Sequence, residues 1–321
     1  MANDKYTKRK DAVCIFSYNS RGFSEEKQDI CKLLFAKTEK YYPIVCNQEN
    51  FILKGNNFKV GQCLSEAHVI FKAAVKDSLQ GRPKNGMFIA IPREIKEMVL
   101  DVSPPHWRVQ AVVLSTTNNK ILIINTYFPT DPRIEDFDNT ELLSTLAAIE
   151  SVMKENDHDN ILWGGDINAD FVRNNAFTSA INRYVKEKCL AKSWDQFSID
   201  FTHSFERDDH TFTSTLDHFF WSKGLSQHVS EADVLHLPNN VSDHSPIYCI
   251  IKMEEMSSKK TMQVTENKVI PNWKRADERQ RMKFKTMLGD KLEDIKVPEC
   301  LKECNDVHCK DTFHILNIGL Y

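Results

Sequence analysis

The chain has 321 residues, 41% of them hydrophobic and 27% charged, with a formal net charge of −3; this apolar content excludes a disordered chain. Ten glycines and eleven prolines exclude collagen-like and linker-type sequence, and no apolar run approaches the roughly 18 residues that span a bilayer. From the polar, basic start (residues 1–10) no secretory signal is expected, and the near-neutral balance leaves no global basic footprint for nucleic acid, although a local one beside metal-binding acids stays open.

Residues 12–18, AVCIFSY, form an apolar run of β type ending at Asn19. Residues 24–40 carry Ile30, Leu33, Leu34 and Phe35 at helical spacing behind Ser24, a good N-cap residue. YYPIVCNQEN reads as a strand with a polar end, and GMFIAIP as another, opened by the turn residues Lys84-Asn85-Gly86. WRVQAVVLST and KILIINTYFP flank Thr117-Asn118-Asn119, the pattern of a hairpin. Over 139–155, Leu142, Leu143, Leu146, Ile149 and Val152 predict one apolar helix face. NILWGGDIN reads as a buried strand ending in a polar loop, and TSTLDHFFWS and SPIYCIIKM are the last two strands expected.

The apolar strands end in Asn19, Glu49, Asn125, Asp166 with Asn168, and Asp217, and Ser242-Asp243-His244 precedes the final one. A mixed α/β fold, with two sheets packed face to face and helices outside, would gather these ends at one rim. This domain is expected over residues 10–254. Residues 255–321 open as a polar linker, continue with a charged amphipathic helix pattern over 273–295, and lack the apolar mass for an independent core. The nine cysteines are odd in number and irregularly spaced, which favours free thiols in a reducing compartment. Cys300, Cys304, His308, Cys309 and His314 match no standard zinc-finger spacing.

Asp166 and Asn168 stand two apart after a buried strand, so strand alternation would point both to one side. A carboxylate there can accept a proton from water while the amide binds an oxyanion or orients that water. His244 could face a phosphate, with Asp217 fixing its tautomer and raising its basicity. Glu49 suits a hard cation such as Mg²⁺. Asn125 and Tyr127 alternate on one strand face, and the tyrosine hydroxyl could donate to a phosphate oxygen. Each feature alone also fits a structural reading: an Asx turn for Asp166 and Asn168, a loop accident for Asp243-His244, a half-buried edge aromatic for Tyr127.

The joint order is more specific. Asn19, Gln48-Glu49, Asn125-x-Tyr127-x-Pro129, Gly165-Asp166-x-Asn168, Leu216-Asp217-His218 and Ser242-Asp243-His244-x-Pro246 together resemble the endonuclease/exonuclease/phosphatase superfamily across residues 12–252. That group includes apurinic endonucleases, pancreatic-type DNases, inositol-polyphosphate phosphatases and neutral sphingomyelinases. The resemblance implies a four-layered α/β sandwich that hydrolyses a phosphoester with Mg²⁺, for which Mn²⁺ can substitute. It implies Glu49 as principal metal ligand, with Asn19 beside it and Asp243 on the metal side. Asp166 corresponds to the water-activating acid, Asn168 to the amide on the scissile phosphate, Asp217 to the acid that orients the phosphate-binding His244. Tyr127 matches a phosphate-contacting tyrosine, and Asn125, Arg133 and Ser214 fall where phosphate or DNA contacts are expected.

Within the superfamily, Asn19-Ser20-Arg21-Gly22 departs from the apurinic endonucleases, which resemble Asn-x-Asp-Gly here, and is closer to endonucleases of non-LTR (LINE-type) retrotransposons. The segment beginning Gly81-Arg82, the Ser214-Thr215-Leu216-Asp217-His218 motif and Trp273-Lys274-Arg275-Ala276 are also similar to theirs. The implied activity is a DNA endonuclease that nicks one strand and leaves a 3′ hydroxyl usable as a primer. The alternatives are hydrolysis of RNA, a phosphoinositide or sphingomyelin, and an inactive element-derived chain that binds nucleic acid. The expected partner is DNA, with no membrane and no obligate protein partner evident. The expected location is intracellular, nuclear for action on chromosomal DNA, and not secreted. All of this requires the imidazole of His244 to lie near Glu49 and Asp166.

Overall fold

The computed structural model describes residues 11–36, 38–76, 81, 83–116, 118–131, 139–197 and 203–253, together with Met282. The chain divides into two units, Met1–Lys260 and Thr261–Tyr321, and the fold that follows is that of the first. Arg133, Arg82, the helix pattern over 273–295 and the tail cysteines lie outside the described residues, apart from Met282.

Chain order lays down one sheet, then a second, then returns to the first. Strands β1 (Ala12–Asn19), β2 (Tyr42–Gln48), β3 (Ala67–Lys72) and β4 (Met87–Pro92) begin the first sheet. The second contains β5 (Val99–Asp101), β6 (Val109–Ser115), β7 (Lys120–Tyr127), β8 (Asn160–Asp166) and β9 (Leu190–Lys192). A short hairpin, β10 (Phe205–Glu206) and β11 (Thr213–Ser214), precedes β12 (Asp217–Ser222), which returns to the second sheet. Strands β13 (Val229–Val234) and β14 (Ile247–Lys252) close the first. The spatial orders are β13-β14-β1-β2-β4-β3 and β5-β6-β7-β8-β12-β9. The larger helices are α1 (Glu25–Leu34), α2 (Phe58–Cys63), α3 (Thr140–Glu155) and α4 (Ala176–Glu187).

The four layers follow from which faces are apolar. All eight residues of β1 are buried, because both faces are covered and the usual alternation is lost. Its Val13 and Ile15 join Ile44, Val112, Ile123 and Leu162 in the core between the sheets. Its Cys14, Phe16 and Tyr18 pack outward with Ile30 and Leu34 of α1. On the far side, Leu142, Leu146, Ile149 and Val152 of α3 and Phe177, Ile181 and Val185 of α4 cover Trp163 and Phe220. This is the expected two-sheet α/β sandwich with helices on both outer faces.

Several local expectations change. Helix α1 ends at Leu34 rather than near residue 40, and the Thr38 hydroxyl and Tyr41 backbone form a turn that feeds β2. Leu143 is 58% exposed, because 100° of rotation from Leu142 carries it off the apolar face. Asp217 opens its strand instead of ending one.

That last reversal explains how the rim forms. Each sheet contains one parallel pair, β1/β2 and β7/β8, joined through an outer helix, and the 2.8 Å bond from Asn19 to Asp166 places the ends of both pairs on the same side. Asn19 aligns with Gln48, and Tyr127 with Asp166. Strand β12 runs antiparallel to β8, so its first residue, Asp217, aligns with Asp166. Strand β14 runs antiparallel to β1, which brings the loop before it, with His244, to that same end. The C-terminal ends of parallel strands are the usual place for a site in sheets of this kind.

Candidate functional site

Asn19 is the hub of the rim. Its buried side-chain amide donates to Asp166 Oδ2 at 2.8 Å and to Glu49 Oε2 at 3.0 Å, drawing an acid from each sheet to one nitrogen. The Arg21 backbone N–H donates to Asn19 Oδ1 at 3.0 Å and orients that amide. Glu49 follows the last residue of β2 with a left-handed backbone (φ 51°), which turns its half-buried side chain toward the rim. Its carbonyl accepts the Gly22 N–H at 2.7 Å, tying this turn to the one after β1.

Asp166, 1% exposed, also accepts the Asn168 backbone N–H on Oδ1 at 2.9 Å. Asn168 has φ 53°, so a tight Asx-type turn, rather than strand alternation, brings the two together. The Asn168 amide donates to Phe128 O at 2.9 Å and to Asp166 Oδ2 at 3.3 Å, and so steadies the acid. Gly165 allows this close approach: at φ +141°, an added Cβ would lie 2.0 Å from the Thr126 carbonyl oxygen.

His244 faces the same acid. Its Nδ1 donates to Asp217 Oδ2 at 2.8 Å, and its Nε2 lies 3.9 Å from Asp166 Oδ2. Asp217 is 1% exposed, and its other oxygen is buried with no hydrogen-bond partner, so its charge acts chiefly on the imidazole. The buried Ser204 hydroxyl accepts the Leu216 and Asp217 backbone N–H groups, both at 2.9 Å, and sets the start of β12. Phe205 packs edge-on against His244 with ring centroids 5.1 Å apart.

Burial alone would push the His244 imidazole down, but the Asp217 and Asp166 carboxylates outweigh it and hold the ring well above the ordinary histidine value. The two carboxylates thus favour its protonated form. Burial raises Asp166, and His244 and the Asn19 amide oppose that rise. Tyr127 hydrogen-bonds Glu49; burial, and then the Glu49 and Asp166 charges, push its hydroxyl up, so it keeps its proton. Among the described residues, Asp166, Asp217 and His244 offer ligand atoms within 4.8 Å of one another.

The predicted site residues divide accordingly. Asn19, Glu49, Tyr127, Asp166, Asn168, Asp217 and His244 converge at the rim. Asn125 lies one layer below, fully buried, accepting from Gln48 Nε2 at 2.6 Å and donating to Asn47 O at 3.3 Å. Ser214 is spent elsewhere, donating to Asp170 at 2.7 Å and accepting from Arg173 at 2.9 Å. Asp243 pairs with Arg21 at 2.5 Å, so an arginine rather than Glu49 or Asn19 faces its carboxylate. Arg21 also reaches Asp208 of the hairpin loop at 3.5 Å. Sequence reasoning missed Ser204, and it missed Asn240 in the loop before His244. The polar Asn-Asn pair before Val241 was the visible signal for the second.

The fold and site define a class: a two-sheet α/β sandwich whose rim carries a His–Asp pair against an acid that shares an amide with a second acid. No protein-family model matches the chain, and no curated protein sequence matches it. Solved structures do. The AP endonuclease LMAP from Leishmania major superimposes with a TM-score of 0.60 at 14% identity, over 76% of this chain and 89% of that one. The endonuclease domain of TRAS1, a telomere-specific non-LTR retrotransposon, gives 0.56 at 16%, over 76% of this chain and 100% of that one. A 3′–5′ exonuclease from Neisseria meningitidis gives 0.56 at 16%, over 75% and 100%. The chain has the fold of the endonuclease/exonuclease/phosphatase superfamily.

Proposed function

We propose that this protein is a divalent-metal-dependent phosphodiesterase and, within that class, a DNA endonuclease that nicks one strand and leaves a 3′ hydroxyl. The observation that carries the reading is the convergence of His244, its partner Asp217 and the Asn19-bridged acids Asp166 and Glu49 at one rim. Two acids drawn together form an oxygen-rich site suited to a hard divalent ion, Mg²⁺ or Mn²⁺, with Glu49 its principal holder; Asn19, expected beside it as a ligand, instead presents its N–H groups to the acids and orients them. Such an ion, when bound, would neutralise charge gathering on the phosphoryl oxygens.

The chain's own groups do the rest. Asp166 accepts a proton from the attacking water; its raised basicity favours that transfer, and Asn19 and Asn168 fix its two oxygens. The His244 imidazolium donates from Nε2 to a phosphoryl oxygen while Asp217 holds Nδ1–H. Tyr127 keeps its proton and donates it in a hydrogen bond to Glu49, which steadies that acid at the rim.

DNA as the substrate, and a nick of the kind that primes reverse transcription, are supported by Asn19-Ser20-Arg21-Gly22 and by likeness to the TRAS1 endonuclease domain. Action on chromosomal DNA implies a nuclear location. The test is nicking of supercoiled plasmid with Mg²⁺ and with EDTA, followed by mapping of the cut ends. Metal-dependent nicks with 3′ hydroxyls are expected, with activity lost in Asp166→Ala and His244→Ala. Undiminished nicking in both variants would defeat the assignment. Release of inorganic phosphate, choline phosphate or AMP from a substrate panel, without nicking, would move it to another phosphoester.

A further inference from the structure

His244 stands in a loop with little apolar anchorage: Val241, in its middle, is 54% exposed. Hydrogen bonds hold the loop instead: the Glu206 N–H donates to Asp243 O at 2.8 Å, the Ser245 N–H donates to Ser204 O at 2.7 Å, and a further set passes through Asn240. Its Nδ2 donates to His244 O at 2.7 Å and to Ser242 O at 3.3 Å. Its Oδ1 accepts the Ser242 N–H at 3.2 Å and the Tyr18 hydroxyl at 2.9 Å. Both donor hydrogens and both lone-pair directions of the amide are thus engaged.

Tyr18 roots this arrangement. It is fully buried on the outer face of β1, immediately before Asn19. The same loop grips Asn19 directly, since Ser242 Oγ donates to Asn19 O at 2.8 Å and accepts the His244 N–H at 3.3 Å. The end of β1 therefore supports both halves of the rim: Asn19 sets the two acids, and Tyr18 with Asn240 sets the backbone that carries the imidazole. The Asp217 contact fixes how the ring is turned, whereas Asn240, together with the backbone bonds at Asp243 and Ser245, fixes where its Cα stands.

We infer that Asn240, braced by Tyr18, is a positioning residue that holds His244 against Asp166. The inference rests on the proposed reaction at that site. Misplacement of a reacting group by about 1 Å can cost on the order of 10²-fold in rate.

The test combines kinetics on a small activated phosphodiester, in Mg²⁺ or Mn²⁺, with proton NMR of the His244 Nδ1–H that bonds Asp217. Asn240→Ala is expected to lower kcat by about 10–100-fold with KM within about twofold, and to shift or broaden that proton signal. Asn240→Asp keeps both acceptor contacts but loses the donor to His244 O, and is expected to match the alanine variant. Tyr18→Phe removes one oxygen at nearly constant core volume and is expected to lower kcat by about 3–10-fold, which serves if Asn240→Ala does not fold. Unchanged kcat and an unchanged signal in a folded Asn240 variant, or in Tyr18→Phe, would overturn the inference, as would a rise in KM alone. A wild-type protein without phosphodiesterase activity would sink the proposed reaction, while the NMR signal would still decide whether Asn240 places the imidazole.

Discussion

Asp217 and His218 are neighbours in sequence with opposite electrostatic roles. Asp217 delivers its charge to His244, so Asp217→Asn keeps the shape and removes what holds that ring protonated. Nicking at neutral pH is expected to fall by about 10²–10³-fold, measured as initial rate on plasmid. His218 points to the other face and is fully engaged: Trp194 Nε1 donates to its Nδ1, and its Nε2–H donates to Ala169 O at 2.8 Å. Burial pushes its imidazole down to about 4. Between the unfolded value near 6.5 and about 4, the unfolded chain takes up a proton at this residue that the native state refuses. Stability therefore falls as pH drops through that window, by about 2 kcal/mol at pH 5 from this residue alone. Urea midpoints at pH 7 and pH 5 should differ less in His218→Gln than in the wild type. That Asp166, Glu49, Asn19 and His244 would gather at one rim was legible, because each is a polar residue at or near the end of an apolar run. That Asn125, Ser214 and Asp243 have other partners was not, because the competing groups come from Gln48, Arg173 and Arg21, 77, 41 and 222 positions away.

Elements with clean periodicity were readable, and those with broken periodicity were not. The β6–β7 hairpin and α3 stood out because apolar residues recur at strand and helix spacing. Strand β13 did not: a register shift between Val229 and Glu231 interrupts its alternation, and it sits at a sheet edge. Helix α4 also escaped notice, although Asn175 and Thr178 form a reciprocal cap and Phe177, Ile181 and Val185 recur every four residues. Asn175→Ala should cost about 1 kcal/mol, read as a lower denaturation midpoint with activity retained. The turn that ends β8 is less forgiving. Gly165→Ala puts a Cβ against the Thr126 carbonyl at a backbone angle that L side chains rarely adopt. A loss of about 3 kcal/mol or more is expected, with nicking reduced as the Asp166 turn is displaced; an unchanged melting temperature would contradict this account.

Across the molecule, the apolar core lies between and outside the sheets, while the candidate metal site sits at their rim. Folding should therefore survive chelation. Mg²⁺ at ten times its dissociation constant should add about 1.4 kcal/mol, a rise of roughly 3–5 °C in Tm for a domain of this size. Glu49→Gln should abolish that rise without lowering the metal-free Tm by a comparable amount; equal shifts in both proteins would remove Glu49 from the metal site. No helix among the described residues is long and apolar enough to cross a membrane. The sequence by itself determined the layered α/β plan and the set of polar strand ends, because periodicity and burial are local properties of a chain. Only the tertiary structure decided which of those ends meet. Strand direction does not show in composition: β12 and β14 run antiparallel to their neighbours, so their beginnings, not their ends, bring Asp217 and His244 beside the C-terminal ends of β1 and β8.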